Sequence, residues 1–379
     1  MKRFWLILNI ILLVGVAVLC VVRWKAWFCN PPEPEWTGDS IPMHFNTFGQ
    51  ENLPCFTYNG IAWEETATPD TLQILILGDV HNSITHDQWQ TLAKRHPRLD
   101  CYAQLGDFVE RGYNYYNQQL YAELKGTAFE TLPIINVPGN HEYLKGVQRT
   151  LPDYWTQTFV QPQNGPAEFL GTTYFVDFDG LRMIAINTNG LQHLRDYTRI
   201  NAWIKTTVNE AEDRFVVVIM HHPVYSCAVG RQNLAVHTTF IRALKQADLV
   251  FAGHDHNYSR RLPFVNTNAA SKTYLHRLSS RDTRVGAGVR VYELLSLYGD
   301  TLRLQTRLLD TGELYDEVFI VRHDSGREVI ESDISLPETI EMPDKYLHRD
   351  NYKVRRFLER KAKRTRPLSA DNDSLISNP

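Results

Sequence analysis

Leu72-Gln73-Ile74-Leu75-Ile76-Leu77-Gly78-Asp79-Val80-His81 is the stretch on which the reading of this 379-residue chain turns. An apolar run of strand length stops at a glycine, and a carboxylate and an imidazole follow at once. Such a run reads as a strand buried on both faces. Residues just after it fall where α/β sheets bind ligands, at the carboxyl ends of the strands. The same pattern recurs along the chain. Strands are expected over 101–105, 133–137, 215–220 and 249–252, and helical spacing over 86–95, 113–129, 200–211 and 234–245. Asp179-Gly180 joins two alternating stretches as a hairpin. A meander is expected over 289–297, 302–309 and 314–321. The alternation of strand and helix argues for an α/β fold with its main domain over 70–325.

Composition narrows the classes. With 43% hydrophobic and 22% charged residues, a disordered or fibrous chain is excluded. A net charge of −3 excludes a polyanion binder as a whole, and five cysteines without a CxxC spacing exclude a disulfide scaffold. From Phe4 to Val22 only Asn9 is polar. As a helix this stretch would span about 29 Å, enough for a bilayer core. Lys2 and Arg3 precede it, Arg23 and Lys25 end it, and no small-residue cleavage pattern follows. Trp5, Trp24 and Trp27 suit the two interfaces. Residues 1–25 are therefore expected to form a single-pass transmembrane anchor, N-terminus inside and the bulk of the chain outside.

Residues 26–69, rich in proline at the start, read as a linker or small N-terminal subdomain with short strands at 56–58 and 61–63. Residues 326–379 read as a basic amphipathic helix followed by a disordered tail. Ten Lys/Arg stand against Asp350 and Glu359 over 345–366, a local charge of +8. Beside an anchor, such a helix can be drawn to anionic lipid headgroups. Few aromatics interleave its cations, so no nucleic-acid partner is expected.

Five segments carry the chemistry: Gly78-Asp79-Val80-His81, Gly106-Asp107, Gly139-Asn140-His141-Glu142, His221-His222-Pro223 and Gly253-His254-Asp255-His256. Each puts Asp, Asn or His directly after an expected strand, so side chains far apart in sequence can meet at one edge. Hard carboxylate and amide oxygens mixed with imidazole nitrogens suit metals, and so many donors exceed what one tetrahedral zinc takes. Two ions sharing a carboxylate can activate a water and clamp a phosphoryl group.

This ordered set resembles the calcineurin-like metallophosphoesterase superfamily over roughly residues 70–325. The resemblance implies a four-layer α/β/β/α sandwich of two mixed sheets. It implies that Asp79, His81 and His256 hold one metal, that Asp107 bridges, and that Asn140, His221 and His254 hold the second. It places His141 beside the site as general acid or phosphate contact. The later motifs look like those of purple acid phosphatases. This chain, however, has Glu110 where those enzymes carry a tyrosine ligand, and a histidine at His81 where they have none.

Gly106-Asp107-Phe108-Val109-Glu110-Arg111-Gly112 is similar to a loop of the serine/threonine phosphoprotein phosphatases, which implies Arg111 as a phosphate clamp. The implied activity is hydrolysis of a phosphate ester by hydroxide bridging two di- or trivalent ions (Mn, Fe or Zn), with a phosphomonoester expected as substrate and the catalytic domain extracytoplasmic. Phosphodiesterase, nucleotide pyrophosphatase and membrane-lipid phosphatase activities share this core. A catalytically silent metal-binding scaffold is the rival from another class.

Overall fold

The computed structural model describes residues 2–37, 43, 45–49, 71–146, 149–276, 284–286 and 288–332. Two seven-stranded mixed sheets form the centre. In the first, β1 (Thr71–Leu77), β2 (Cys101–Gln104) and β3 (Ile134–Asn136) run parallel. They continue antiparallel into the meander β11 (Val291–Tyr298), β12 (Thr301–Leu308), β13 (Leu314–His323) and β14 (Gly326–Glu331). In the second, β5 (Leu181–Ile186), β6 (Phe215–Met220) and β7 (Leu249–Ala252) are parallel. β4 (Tyr174–Phe178) flanks β5 antiparallel. β9 (Phe264–Asn266), β8 (Tyr258–Arg261) and β10 (Arg284–Gly286) complete the other side.

Side-chain alternation explains the layers. Leu72, Ile74 and Ile76 of β1 enter a core that also holds Phe215, Val217 and Ile219 of β6, so this core lies between the sheets. Leu75 and Leu77 face the opposite way. They pack with Trp89 of α2 (His86–Arg95), with Leu120 and Leu124 of α3 (Asn114–Leu124) and with Trp155 of α4 (Asp153–Thr158). Val216, Val218 and Met220 pack with Ile200 and Ile204 of α5 (Leu194–Asn209) and Phe240 of α6 (Leu234–Leu244). Helices thus cover the outer face of each sheet. That is why β1 and β6 are apolar on both sides rather than alternating with polar residues.

The N-terminal stretch forms α1 (Lys2–Phe28), whose described side chains from Asn9 to Val21 are all exposed. Among the described residues no helix is long and apolar enough to cross a membrane. The segment after α1 lies against the main domain. Asn30 exchanges hydrogen bonds with the Lys145 backbone at 2.9 and 2.8 Å, and Trp36 meets Tyr115 edge-on. Phe45 and Phe48 are buried in the two cores of the first sheet. The strands expected at 56–58 and 61–63 and the basic helix at 345–366 lie outside the described residues. The first sheet runs past the boundary expected at 325, because β14 pairs with β13. All six of its residues are exposed, so it carries no apolar alternation to announce it.

Candidate metal centre

The parallel strands β1, β2 and β3 of one sheet and β6 and β7 of the other deliver their carboxyl ends to a common edge. The loop after β2 turns through Gly106 (φ 87°) and Asp107 (φ 54°). A Cβ on Gly106 would stand 2.5 Å from the backbone nitrogen of Gly139 in the loop after β3, so only glycine allows the two loops to touch. The carboxylate of Glu142 fastens the same junction. It accepts backbone N–H bonds from Asp107 (2.8 Å), Phe108 (2.8 Å), Val109 (3.3 Å) and Gly139 (2.6 Å). His81, His254 and His256 share the left-handed backbone of Asp107, at φ 50°, 70° and 50°. Such strain in non-glycine residues gathers at functional sites.

Seven side chains converge. The Nε2 of His81 is 3.2 Å from that of His256, 3.5 Å from Asp107 Oδ2 and 3.8 Å from Asp79 Oδ1, and His256 Nε2 is 3.3 Å from Asp79 Oδ1. On the other side of Asp107, its Oδ2 is 3.4 Å from His221 Nε2. That nitrogen in turn lies 3.1 Å from His254 Nδ1 and 3.2 Å from Asn140 Oδ1. Asp107 therefore belongs to two groups of possible ligands at once.

Backbone carbonyls fix two imidazoles. His221 Nδ1 faces Leu105 O at 2.9 Å and His256 Nδ1 faces Lys272 O at 2.9 Å. A carbonyl only accepts, so Nδ1 carries the proton and Nε2 keeps the lone pair that a metal needs. Glu110 does the same for His81, with Oε2 3.0 Å from Nδ1.

The donor set fits cations. Asp79 Oδ1 is buried and hydrogen-bonded to nothing among the described residues. Burial opposes ionisation of Asp79 and Asp107, but the neighbouring imidazoles outweigh it and hold both carboxyls below their usual range. Burial would lower His81, yet Asp107, Asp79 and Glu110 push it up to about 12. The carboxylates thus demand positive charge at this spot, and a metal ion there would displace a proton from His81. The family and this cluster support two divalent ions.

His141 stands beside the cluster, its ring centroid 4.4 Å from that of His81 and perpendicular to it. Its backbone N–H donates to Asp107 Oδ1 at 2.7 Å, and its Nδ1 faces the Glu110 carbonyl. Burial lowers its pKa, Asp107 countering. Arg111 is exposed on its loop, and among the described residues no contact ties it to the cluster. A different arginine does reach it. Arg231 Nη2 donates to His254 O at 2.8 Å and lies 3.0 Å from His254 Nε2, with the guanidinium stacked 4.1 Å over the Tyr274 ring. His222, next to His221, holds Nδ1 3.0 Å from Thr188 Oγ1 while its ring lies 4.5 Å from that of His254, and burial lowers it to about 3.

The calcineurin-like phosphoesterase family matches residues 72–258. The glycerophosphodiester phosphodiesterase GpdQ of Enterobacter lignolyticus (strain SCF1) is 26% identical over 137 residues, covering 33% of this chain and 45% of that protein. The chain thus spans less than half the length of this curated relative. Among solved structures, purple acid phosphatase PPD1 from yellow lupin (Lupinus luteus) seeds is similar with a TM-score of 0.53 at 15% identity, over 68% of this chain and 55% of that one. PhoD aligns at 0.52 and 10% over 79% of each chain. GAP50, the anchor in the inner membrane complex of Plasmodium, aligns at 0.51 and 14% over 72% and 92%. The matched span, with its ligand loops at one sheet edge, is a calcineurin-like phosphoesterase domain, the domain of metal-dependent phosphoester hydrolases.

Proposed function

We propose that the chain is a membrane-anchored phosphomonoesterase that works with two metal ions. The observation that carries this is the cluster itself, two buried carboxylates and four imidazoles with Asp107 common to both halves, and Asp79 Oδ1 left without a hydrogen bond among the described residues. Asp79, His81 and His256 would hold one ion, Asn140, His221 and His254 the other, and Asp107 would contribute to both. Metals in such a centre supply an activated water and offset charge on the phosphoryl group. The protein's own groups do the rest. Glu110 and the Leu105 and Lys272 carbonyls aim imidazole nitrogens inward. Arg231 offers N–H groups to a phosphate oxygen, a role the exposed Arg111 would share only by closing over the substrate. His141 anchors Nδ1 on the Glu110 carbonyl, which leaves Nε2 to exchange a proton with the leaving oxygen.

Metal content, then turnover of a phosphomonoester and a phosphodiester with each of Mn, Fe and Zn, tests the proposal beside Asp107→Asn. About two metals per chain and monoester turnover that the variant loses support it. Bound metal without turnover would favour the scaffold reading, since the same fold serves as an anchor in the Plasmodium protein. His141→Ala should cost about 10²–10⁴-fold on alkyl phosphates and far less on nitrophenyl phosphate, whose leaving group needs no proton. Equal losses would remove His141 from proton transfer.

A diesterase is the second reading, favoured by the name of the curated relative; the ratio of the two ester rates decides it. The anchor rests on α1, whose described apolar side chains, Leu13 and Leu19 among them, lie open to the surroundings at 69% and 64% exposure. If the substrate is a membrane lipid, deleting 345–379 should lower vesicle activity and spare soluble esters.

A further inference from the structure

We propose that a cleft at the carboxyl end of α2, on the outer face of the first sheet, binds a phosphate-bearing small molecule at a site separate from the metal edge. The cleft measures about 520 Å³, within the range of small-molecule sites. Arg95, Arg98, Arg307, His96, Tyr292 and Gln73 contribute to its lining, and none of its lining residues is acidic. Two of the guanidinium groups are held by neutral acceptors rather than carboxylates. Arg95 donates to the carbonyls of Leu309 (2.8 Å) and Asp310 (2.7 Å). Arg307 donates to the Gly312 carbonyl (2.9 Å) and to Gln305 Oε1 (3.2 Å), and its Nε is buried with no partner among the described residues. Carbonyl dipoles fix the geometry of these cations without cancelling their charge.

Two acids lie near the rim. Asp100 accepts from the Gln73 backbone at 2.6 Å and is pushed up to about 7 by burial, the Arg98 charge countering, so it offsets the cleft's cations only in part. Asp310 faces Arg290 and Gln88 at 3.4 and 2.9 Å. His96 rests on the Tyr292 hydroxyl at 2.9 Å, lowered to about 4 by burial and by Arg307 and Arg95. The cleft is therefore cationic, with an uncharged imidazole at its wall. Guanidinium groups fixed in this way match tetrahedral phosphate oxygens, to which they can donate in pairs.

Calorimetry on the full chain in detergent tests this, with inorganic phosphate, a non-hydrolysable nucleoside 5′-phosphonate and citrate as probes. The Asp107→Asn background removes phosphate binding that depends on the metal edge. One equivalent of phosphate or of phosphonate should still bind there. Arg307→Gln should weaken it about tenfold or more, the loss of a charge-assisted hydrogen bond. Arg98→Glu, on the exposed rim, should do the same and provides the answer if Arg307→Gln does not fold. As a single substitution, Arg98→Glu should leave kcat/KM on nitrophenyl phosphate within twofold. Binding of phosphate itself identifies the free ion as the ligand; binding of the phosphonate alone identifies an organic phosphate. The proposal falls if the Asp107→Asn chain binds neither, if binding is indifferent to both arginine changes, or if citrate binds as tightly.

Discussion

At the residue scale, Asp107 is the point where the site can be undone. Its Oδ2 lies within 3.5 Å of His81 and His221, and its Oδ1 accepts the His141 backbone N–H. Asp107→Asn keeps the shape and removes the charge, and should lower kcat/KM by about 10³-fold, several kcal/mol of metal-assisted stabilisation. Glu110→Gln is milder. It weakens the group that orients His81, and should cost about 10–100-fold in metal affinity by competitive chelation. All seven residues expected as metal ligands meet in the structure, because an apolar strand, a tight turn and a ligand-type side chain are all local signals. Arg231 was not legible. It follows no strand, and its loop is ordered by Asp255, which accepts from Ser226, Cys227 and Ala228. Arg111 shows the converse. A motif announced it, and the structure leaves it exposed.

At the element scale, β11 carries a buried carboxyl in an apolar layer. Glu293 shares its face with Val291 and Leu295, which belong to the core between the sheets. Burial pushes it up to about 8, the Thr267 hydroxyl countering in part. Folded chains therefore hold a proton that unfolded chains release between an ordinary glutamate pKa and pH 8, so this group costs stability progressively as pH rises through that window. Glu293→Gln should raise Tm by several degrees at pH 8 and much less at pH 5; a difference independent of pH would contradict the buried acid. The strands that were legible, such as β6 and β7, are apolar runs bounded by turns. The short β8, β9 and β10 were not, since their pairing comes from one another and from β7. α5 starts six residues before the expected 200, because Asp196 accepts the backbone N–H groups of Gln192 and His193 and caps the helix earlier.

At the scale of the whole molecule, the two-sheet core follows from the alternation of strands and helices, while the proposed membrane anchor rests on the chain's first residues. Full-length protein should stay with membranes through a high-salt or carbonate wash, and protein lacking residues 1–28 should be released; a soluble full-length chain would end the anchor proposal. The layered order was legible because buried strands and amphipathic helices are written in local periodicity. How the sheets register on one another was not, since that depends on contacts far apart in sequence, such as His256 on Asp79. Those contacts have a mechanical side. Asp79, Asp107 and Asn140 hang from one sheet, and His221, His254 and His256 from the other, so loaded ions would rivet two slabs that otherwise adhere through greasy faces free to shear. Chelation should then loosen the seam before anything else: amide exchange rising first in the loops at 79–82, 106–110 and 253–257, and a melting point that climbs with added metal as mass action requires, the stability gaining about 4 kcal/mol at a thousandfold excess over Kd.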